Sequence, residues 1–248
     1  MCCVRDAGGT YAMRLLVTGA THGVGRAVAQ YFAQRQGSNL IVGLLSNDHH
    51  SAALPEVARD VRRYGAIAFQ LWTQPCRTDT PRYNVNDFLA DAGGLDVLVH
   101  ASFTRSKSDD MYYTNTRTTL ACFSTCREAL TQSSGAIVTI APPVRMGHLE
   151  WFQAHGVAHT VARYATTMAT LAEAREGGVR ANCLWPRHAV DCAATSAGVA
   201  RCVYELAMVQ THRNAQCVMD DDVLPFASSS DGRLNAYAEA RHVTHPHV

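Results

Sequence analysis

Charge of either sign is in no excess in this sequence: Lys plus Arg number 22 and Asp plus Glu 21, a formal net charge of +1. No net field therefore draws the chain to nucleic acid or to an anionic membrane. No apolar stretch reaches the ~18 residues of a membrane-spanning helix, so a soluble protein is expected. There is no CxxC. The nine cysteines (Cys2, Cys3, Cys76, Cys122, Cys126, Cys183, Cys192, Cys202 and Cys217) are odd in number and scattered. That argues against a disulfide framework and suits free buried thiols in a reducing, intracellular compartment, cytoplasmic or mitochondrial. Repeats, low-complexity blocks and linkers are missing as well, so nothing divides the chain.

What is present suits one domain. The 248 residues are 47% hydrophobic and 17% charged, enough for one sizeable core and too few for two ordinary α/β domains. The ends read as an N-terminal extension over 1–12, with Met13 as a second start, and a polar tail over 241–248. The extension lacks the Arg- and Ser-rich amphipathic character of a targeting peptide. The tail histidines His242, His245 and His247 have no Cys or acidic neighbour to complete a metal site, so a disordered terminus is expected.

Between the ends the chain alternates. Short apolar runs lie at 14–17, 40–45, 66–69, 96–99, 135–140, 179–184 and 216–219, with helical segments at 26–33, 52–64, 110–132, 155–176 and 198–210. Such runs separated by helices predict a Rossmann-like, doubly wound parallel sheet of about seven strands, an α/β fold with helices on both faces. The ligand belongs at the carboxyl ends of its strands.

The first run enters Thr18-Gly19-Ala20-Thr21-His22-Gly23-Val24-Gly25 and then a helix. Glycines in this strand-to-helix setting let the backbone turn tightly and approach a pyrophosphate, whose charge meets the free N–H groups of the helix N-terminus. The spacing is Gly-x3-Gly-x-Gly.

Together with Asp96-Val97-Leu98-Val99, Asn115, Ile137-Val138-Thr139-Ile140 and Arg180-Ala181-Asn182-Cys183-Leu184-Trp185-Pro186, that turn resembles the short-chain dehydrogenase/reductase family. Ile140-Ala141-Pro142-Pro143, Trp151-Phe152, Leu184-Trp185-Pro186-Arg187 and Val218 to Leu224 are similar to its hydroxysteroid-dehydrogenase-like branch, over about residues 13 to 240. The resemblance implies hydride transfer between NAD(P) and an alcohol or carbonyl, by a Tyr, a Lys four positions on, a Ser and a helix Asn. It puts cofactor contacts at Thr18, Gly19, Thr21, His22, Gly23, Val24, Gly25, Arg26, Gln74, His100, Ala101 and Pro186.

The tetrad departs from that pattern. Asn115 matches, but the serine falls on Ala141 and the Tyr–Lys pair becomes His159 and Arg163. Alanine donates nothing to a developing oxyanion, and one lost donor of this kind costs roughly 10²–10³ in rate. His159 can move protons near neutral pH, yet Arg163 one turn away disfavours imidazolium. Arg163 still supplies charge and donors to a ribose or phosphate. His155 and His159 share a helix face but lack an intervening Glu and a third ligand, so no metal site is expected. Tyr164 reads as a packing aromatic because residue 168 is Met, and Cys122 and Cys126 read as core.

Cofactor choice is open between NAD and NADP. Leu45 stands where a ribose-gripping acid or a phosphate-binding base is usual; Asp48 could serve the first, while Arg26, His49 and His50 could meet a 2′-phosphate, which puts NADP ahead. The segment after 186 is short for a lid. Two readings follow. One is a dinucleotide-binding pseudoenzyme kept as a binding or structural subunit; the other is a NADP-dependent oxidoreductase using His159 and Arg163. The helices over 110–132 and 155–176 carry Leu120, Cys122, Phe123, Ala129, Leu130, Val161, Tyr164, Met168 and Leu171 with few charges, which predicts a dimer or a larger complex.

Overall fold

The structure is a computed structural model and describes residues 12–46, 53–72, 84–102, 110–141, 157–176, 178–186 and 193–224, without the side chains of 110–115, 158, 159 and 194. In chain order the elements are β1 (Met13–Thr18), α1 (Gly23–Gln36), β2 (Leu40–Ser46), α2 (Ala53–Arg62), β3 (Ile67–Trp72), α3 (Val85–Ala92), β4 (Val97–His100) and α4 (Asp110–Ser133). They continue with β5 (Ala136–Ile140), α5 (Val157–Glu176), β6 (Arg180–Trp185), α6 (Ala193–Tyr204), β7 (Gln216–Met219) and the single turn α7 (Asp220–Val223).

All seven runs join one sheet in the order β3-β2-β1-β4-β5-β6-β7, and every pair is parallel. Successive strand residues point to opposite faces, so each strand feeds two cores. Leu15 and Val17 pack with Val28 and Phe32 of α1, Leu54 and Val57 of α2, and Val199 and Val203 of α6. Leu16 and Leu98 pack on the other side with Phe88 of α3 and Phe123 and Leu130 of α4. Full burial of each such side chain contributes about 1.5–3 kcal/mol. Gly43 of β2 has to be bare: a Cβ there would lie 2.9 Å from Leu71 Cδ1 and 3.1 Å from Phe88 Cε1.

Strand order reverses between β1 and β4, which places Thr18 opposite His100 at their carboxyl ends. That is the switch-point crevice in which doubly wound sheets bind ligands. At the opposite end Arg14 clamps the same two strands. Asp96 Oδ2 accepts from Arg14 N at 2.8 Å and Nε at 2.9 Å, and Oδ1 accepts from Nη2 at 2.6 Å.

The sequence pattern left out two helices. α3 is announced by Asn84, whose side chain accepts from Asp87 N while Asp87 caps Asn84 N in return, and it ends at Gly93 with φ 71°. With eight residues and only Phe88 and Ala92 buried, it is too short to show a long periodic signal. α7 is a single turn of three aspartates and a valine. The helix expected over 198–210 begins earlier, at Ala193, and its last turn, Glu205–Val209, is π-helical. Arg180 holds that turn by donating to the Leu206 and Ala207 carbonyls at 2.6 and 2.5 Å. The extension over 1–12 and the tail over 241–248 lie outside the described residues, Ala12 excepted.

α4 and α5 lie side by side. Arg127 forks onto Glu173 with Nε–Oε2 at 2.9 Å and Nη2–Oε1 at 2.5 Å. Of the apolar residues on these helices, Phe123 and Leu130 are fully buried, whereas Leu120, Val157, Val161, Tyr164 and Met168 are exposed.

The Arg14–Asp96 clamp gives a first prediction. Asp96→Ala removes the carboxylate that accepts from both a partly buried guanidinium and a strand N–H, which costs about 2 kcal/mol. Thermal unfolding should fall by roughly 4–8 °C for a domain of this size. An unchanged midpoint would show that the clamp contributes nothing net.

Candidate functional site

The glycine turn separates into two structural positions and one open one. Gly19 has φ +66°, and a Cβ on it would stand 2.8 Å from the Ala101 carbonyl oxygen; a Cβ on Gly25 would stand 2.2 Å from the Gly19 oxygen. Those two are bare so that the turn can close against β4 and against itself. A Cβ on Gly23, where φ is +49°, meets nothing within 4 Å among the described residues. Space is left open at the start of α1.

That helix start is built for an anion. His22 occupies the N-cap in an extended conformation, makes no side-chain cap and puts Nδ1 2.7 Å from Thr21 Oγ1. No acidic residue stands in the first turn. The leading N–H groups are thus left for an external acceptor, at the positive end of the helix dipole. A pyrophosphate fits this chemistry. Val24 is half-buried against the core beneath.

Arg26 is turned away from this space. Its Nη2 lies 2.8 Å from Glu56 Oε1 and 2.9 Å from Asp60 Oδ2 of α2, and these partners, Glu56 first, push its pKa up. The charge read toward a 2′-phosphate is already matched by two carboxylates. Leu45, at the end of β2, is buried in the core. Asp48, His49, His50 and Gln74 lie outside the described residues.

The crevice floor is a hydrogen-bond knot around Thr18, which is 2% exposed. Its Oγ1 accepts from Ala101 N at 3.1 Å and Ser102 N at 3.2 Å and lies 3.0 Å from His100 Nδ1. With both lone pairs taken, the hydroxyl proton goes to Nδ1. His100 is therefore the Nε2–H tautomer and donates to Thr119 Oγ1 of α4 at 2.9 Å. His100 braces β1, β4 and α4; both ring nitrogens are used within the protein. Thr119 was missed by sequence reasoning, although its place one turn beyond Asn115 on α4 was the available signal.

The positions read as the tetrad lie on α4, after β5 and on α5. Ala141 follows β5, fully buried, with its N–H on the Leu184 carbonyl at 3.1 Å. Its methyl offers no donor. Pro186 follows β6 and is buried. Asn115 lies on α4 and His159 on α5, with side chains outside the described set. Arg163 is one turn beyond His159 and only 8% exposed. Cys126 is buried and Cys122 half-buried in the second core, as read from the sequence. A hydrogen bond between them pushes Cys126 up and Cys122 down. Among the described residues no group of three His, Cys, Asp or Glu side chains is placed to hold a metal ion.

Comparison with known proteins agrees with this geometry. The family described as short chain dehydrogenase matches residues 14–196. Hydroxysteroid dehydrogenase-like protein 2 of Mus musculus is 30% identical over 201 residues, covering 73% of this chain and 39% of that protein. Its counterpart in Danio rerio is 27% identical over 256 residues, covering 89% and 60%. The chain thus spans less than two thirds of the length of these curated relatives. Among solved structures, a short chain dehydrogenase from Mycobacterium paratuberculosis bound to NAD superposes with a TM-score of 0.67 at 18% identity, covering 86% of this chain and 97% of that one. Acetoin dehydrogenase YohF from Salmonella typhimurium gives 0.66 at 16% identity, covering 84% and 94%. At such identities the structures speak for the fold, which is that of NAD(P)-binding oxidoreductases. The extent of the sequence match, the strand order and the glycine turn agree: the chain belongs to the short-chain dehydrogenase family, on its hydroxysteroid-dehydrogenase-like branch.

Proposed function

We propose that this chain binds a nicotinamide dinucleotide at its glycine turn and has little or no carbonyl reductase activity, serving as a binding or structural subunit. The observation that carries the binding is the open space at Gly23 beside an uncapped, acid-free helix start. The loss of chemistry rests on Ala141, His159 and Arg163, which stand where the family has Ser, Tyr and Lys. With Arg26 held by Glu56 and Asp60, the argument that put NADP ahead of NAD loses its main residue. One observation favours the second reading, a NADP-dependent oxidoreductase acting through His159 and Arg163. Arg163 is buried on α5, so a fixed cation is kept inside the domain.

Calorimetric titration of the full chain with NADH and with NADPH tests binding directly. Saturable binding at or below millimolar concentration is expected. Gly23→Ala should weaken it by about tenfold or more, because its Cβ enters the cradle and a side chain at φ +49° strains the first turn. Circular dichroism should stay unchanged, because no core contact is touched. Gly25→Ala should unfold the turn instead. Absence of binding of either cofactor by the wild type overturns the proposal.

Restoration of the tetrad tests the chemistry. Ala141→Ser, His159→Tyr and Arg163→Lys together should raise turnover of a carbonyl panel more than any single change does. These groups act as a unit, and the serine alone is worth roughly 10²–10³ where the others are present. Brisk wild-type turnover abolished by His159→Ala establishes the second reading instead.

The exposed stripe Val157, Val161, Tyr164 and Met168 on α5, with Leu120 on α4, carries the assembly proposal, a second copy of this chain. Spacings of four, three and four put these α5 residues on one helix face. Light scattering should give a dimer or larger, and Tyr164→Glu with Met168→Glu should give a monomer. A wild-type monomer at tens of micromolar overturns it.

A further inference from the structure

Outside the crevice the molecule holds a second arrangement of reactive groups. Cys183 of β6 and Cys217 of β7 are direct register partners in neighbouring parallel strands. Register partners share a sheet face, and neighbouring strands lie about 4.7–4.9 Å apart. That spacing falls within the roughly 4.4–6.8 Å between Cα atoms that a disulfide spans. The two thiols differ in environment: Cys183 is buried and Cys217 is exposed at the sheet edge. β7 has four residues and one strand neighbour, so it can give by the small amount that bond formation needs.

We propose that Cys217 and Cys183 form a thiol redox pair, oxidised by a low-molecular-weight disulfide of the glutathione class, with Cys217 as the attacking thiol and Cys183 as the resolving one. In the first step the Cys217 thiolate attacks one sulfur of oxidised glutathione. A Cys217–glutathione mixed disulfide forms and a glutathione thiolate leaves. In the second, the Cys183 sulfur attacks Cys217 Sγ. The Cys183–Cys217 bond forms, and the second glutathione leaves as a thiol with the Cys183 proton. Two protein thiols lose two electrons, and one glutathione disulfide becomes two thiols.

The environments assign these roles. Cys217 is reachable, and its hydrogen bond with Cys183 lowers its pKa, which favours thiolate. Burial raises Cys183 well above the ordinary thiol value, so it stays protonated and waits for a disulfide to form beside it. Its Sγ also lies 3.5 Å from Thr167 Oγ1. The same Oγ1 accepts from Trp185 Nε1 at 3.2 Å. Oxidation removes the Cys183 thiol proton from this cluster, beside the middle of α5 and one turn from Arg163.

The test treats folded full-length protein with oxidised glutathione near neutral pH, quenches with acid, alkylates the remaining thiols under denaturing conditions and maps linked peptides by mass spectrometry. In the wild type a 183–217 linkage lacking two hydrogens is expected, with reversal by dithiothreitol. In Cys183→Ser, Cys217 should stop at the glutathione adduct; in Cys217→Ser, Cys183 should remain a free thiol. The proposal is overturned if the wild type forms no 183–217 linkage or stops at the Cys217 adduct. It is overturned equally if Cys217 stays unmodified in Cys183→Ser, or if Cys183 takes up glutathione without Cys217.

Discussion

The crevice depends on one hydroxyl. Thr18 stands where strand order reverses, and its Oγ1 satisfies Ala101 N, Ser102 N and His100 Nδ1 at once. In a buried setting each of those groups would otherwise carry the desolvation penalty of an unmade hydrogen bond. The consequence reaches further than the bonds themselves. By drawing the chain after β4 over the end of β1, Thr18 brings the Ala101 carbonyl to where a Cβ on Gly19 would have to be. It also sets the tautomer of His100, which then ties α4 through Thr119. One short side chain thereby fixes two strands, one helix and the identity of the first glycine.

With the turn closed, α1 has to point its N-terminus at the crevice, and it is held there from both sides. Arg26 and Gln30 reach Asp60 of α2 at 2.9 and 3.0 Å, while Gln36 donates to Tyr204 Oη of α6 at 2.8 Å. Phe32 and Tyr31 both meet the Tyr204 ring edge-on, at 5.0 and 5.5 Å between centroids. An anion arriving at the uncapped first turn therefore meets donors already in place, so little ordering has to accompany binding. The same clamping explains why Arg26 is a poor candidate for a 2′-phosphate. Its guanidinium is part of what aims the helix.

How much of this the sequence shows differs from element to element, for physical reasons. Parallel strands buried on both faces are continuous apolar runs, so all seven were visible, as were the long helices α4 and α5. α3 was not, because two buried side chains in eight residues make no period; only its Asn84–Asp87 capping box announces it. Of the site, the glycine turn was legible because its residues are neighbours in the chain. The division of labour among Gly19, Gly23 and Gly25 was not, since it depends on Ala101, about eighty residues away. Arg26 misled for the same reason: its carboxylate partners are thirty and thirty-four residues on, and nothing local shows that they meet.

The proposed separation between binding and chemistry rests on where the positions read as the tetrad sit. Among the described residues, the groups that shape the cradle belong to β1, α1, β4 and their partners on α2, α4 and α6. The substituted tetrad positions lie on the end of β5 and on α5. There the contacts between helix and sheet are made by small hydroxyls: Thr170 Oγ1 is 2.8 Å from Thr139 Oγ1, and Thr167 and Thr170 also reach helix carbonyls one turn back. Such hydroxyls bond back to their own helix and across to β5 and β6. Ala141 keeps its backbone bond to Leu184 whatever its side chain. On the proposed reading, loss of the reacting groups leaves the sheet, the turn and the helix dipole intact. On the reading proposed above, such a fold gives up hydride chemistry and still holds the dinucleotide, because the described bonds that shape the cradle run through Thr18, His100, Thr119 and Arg26.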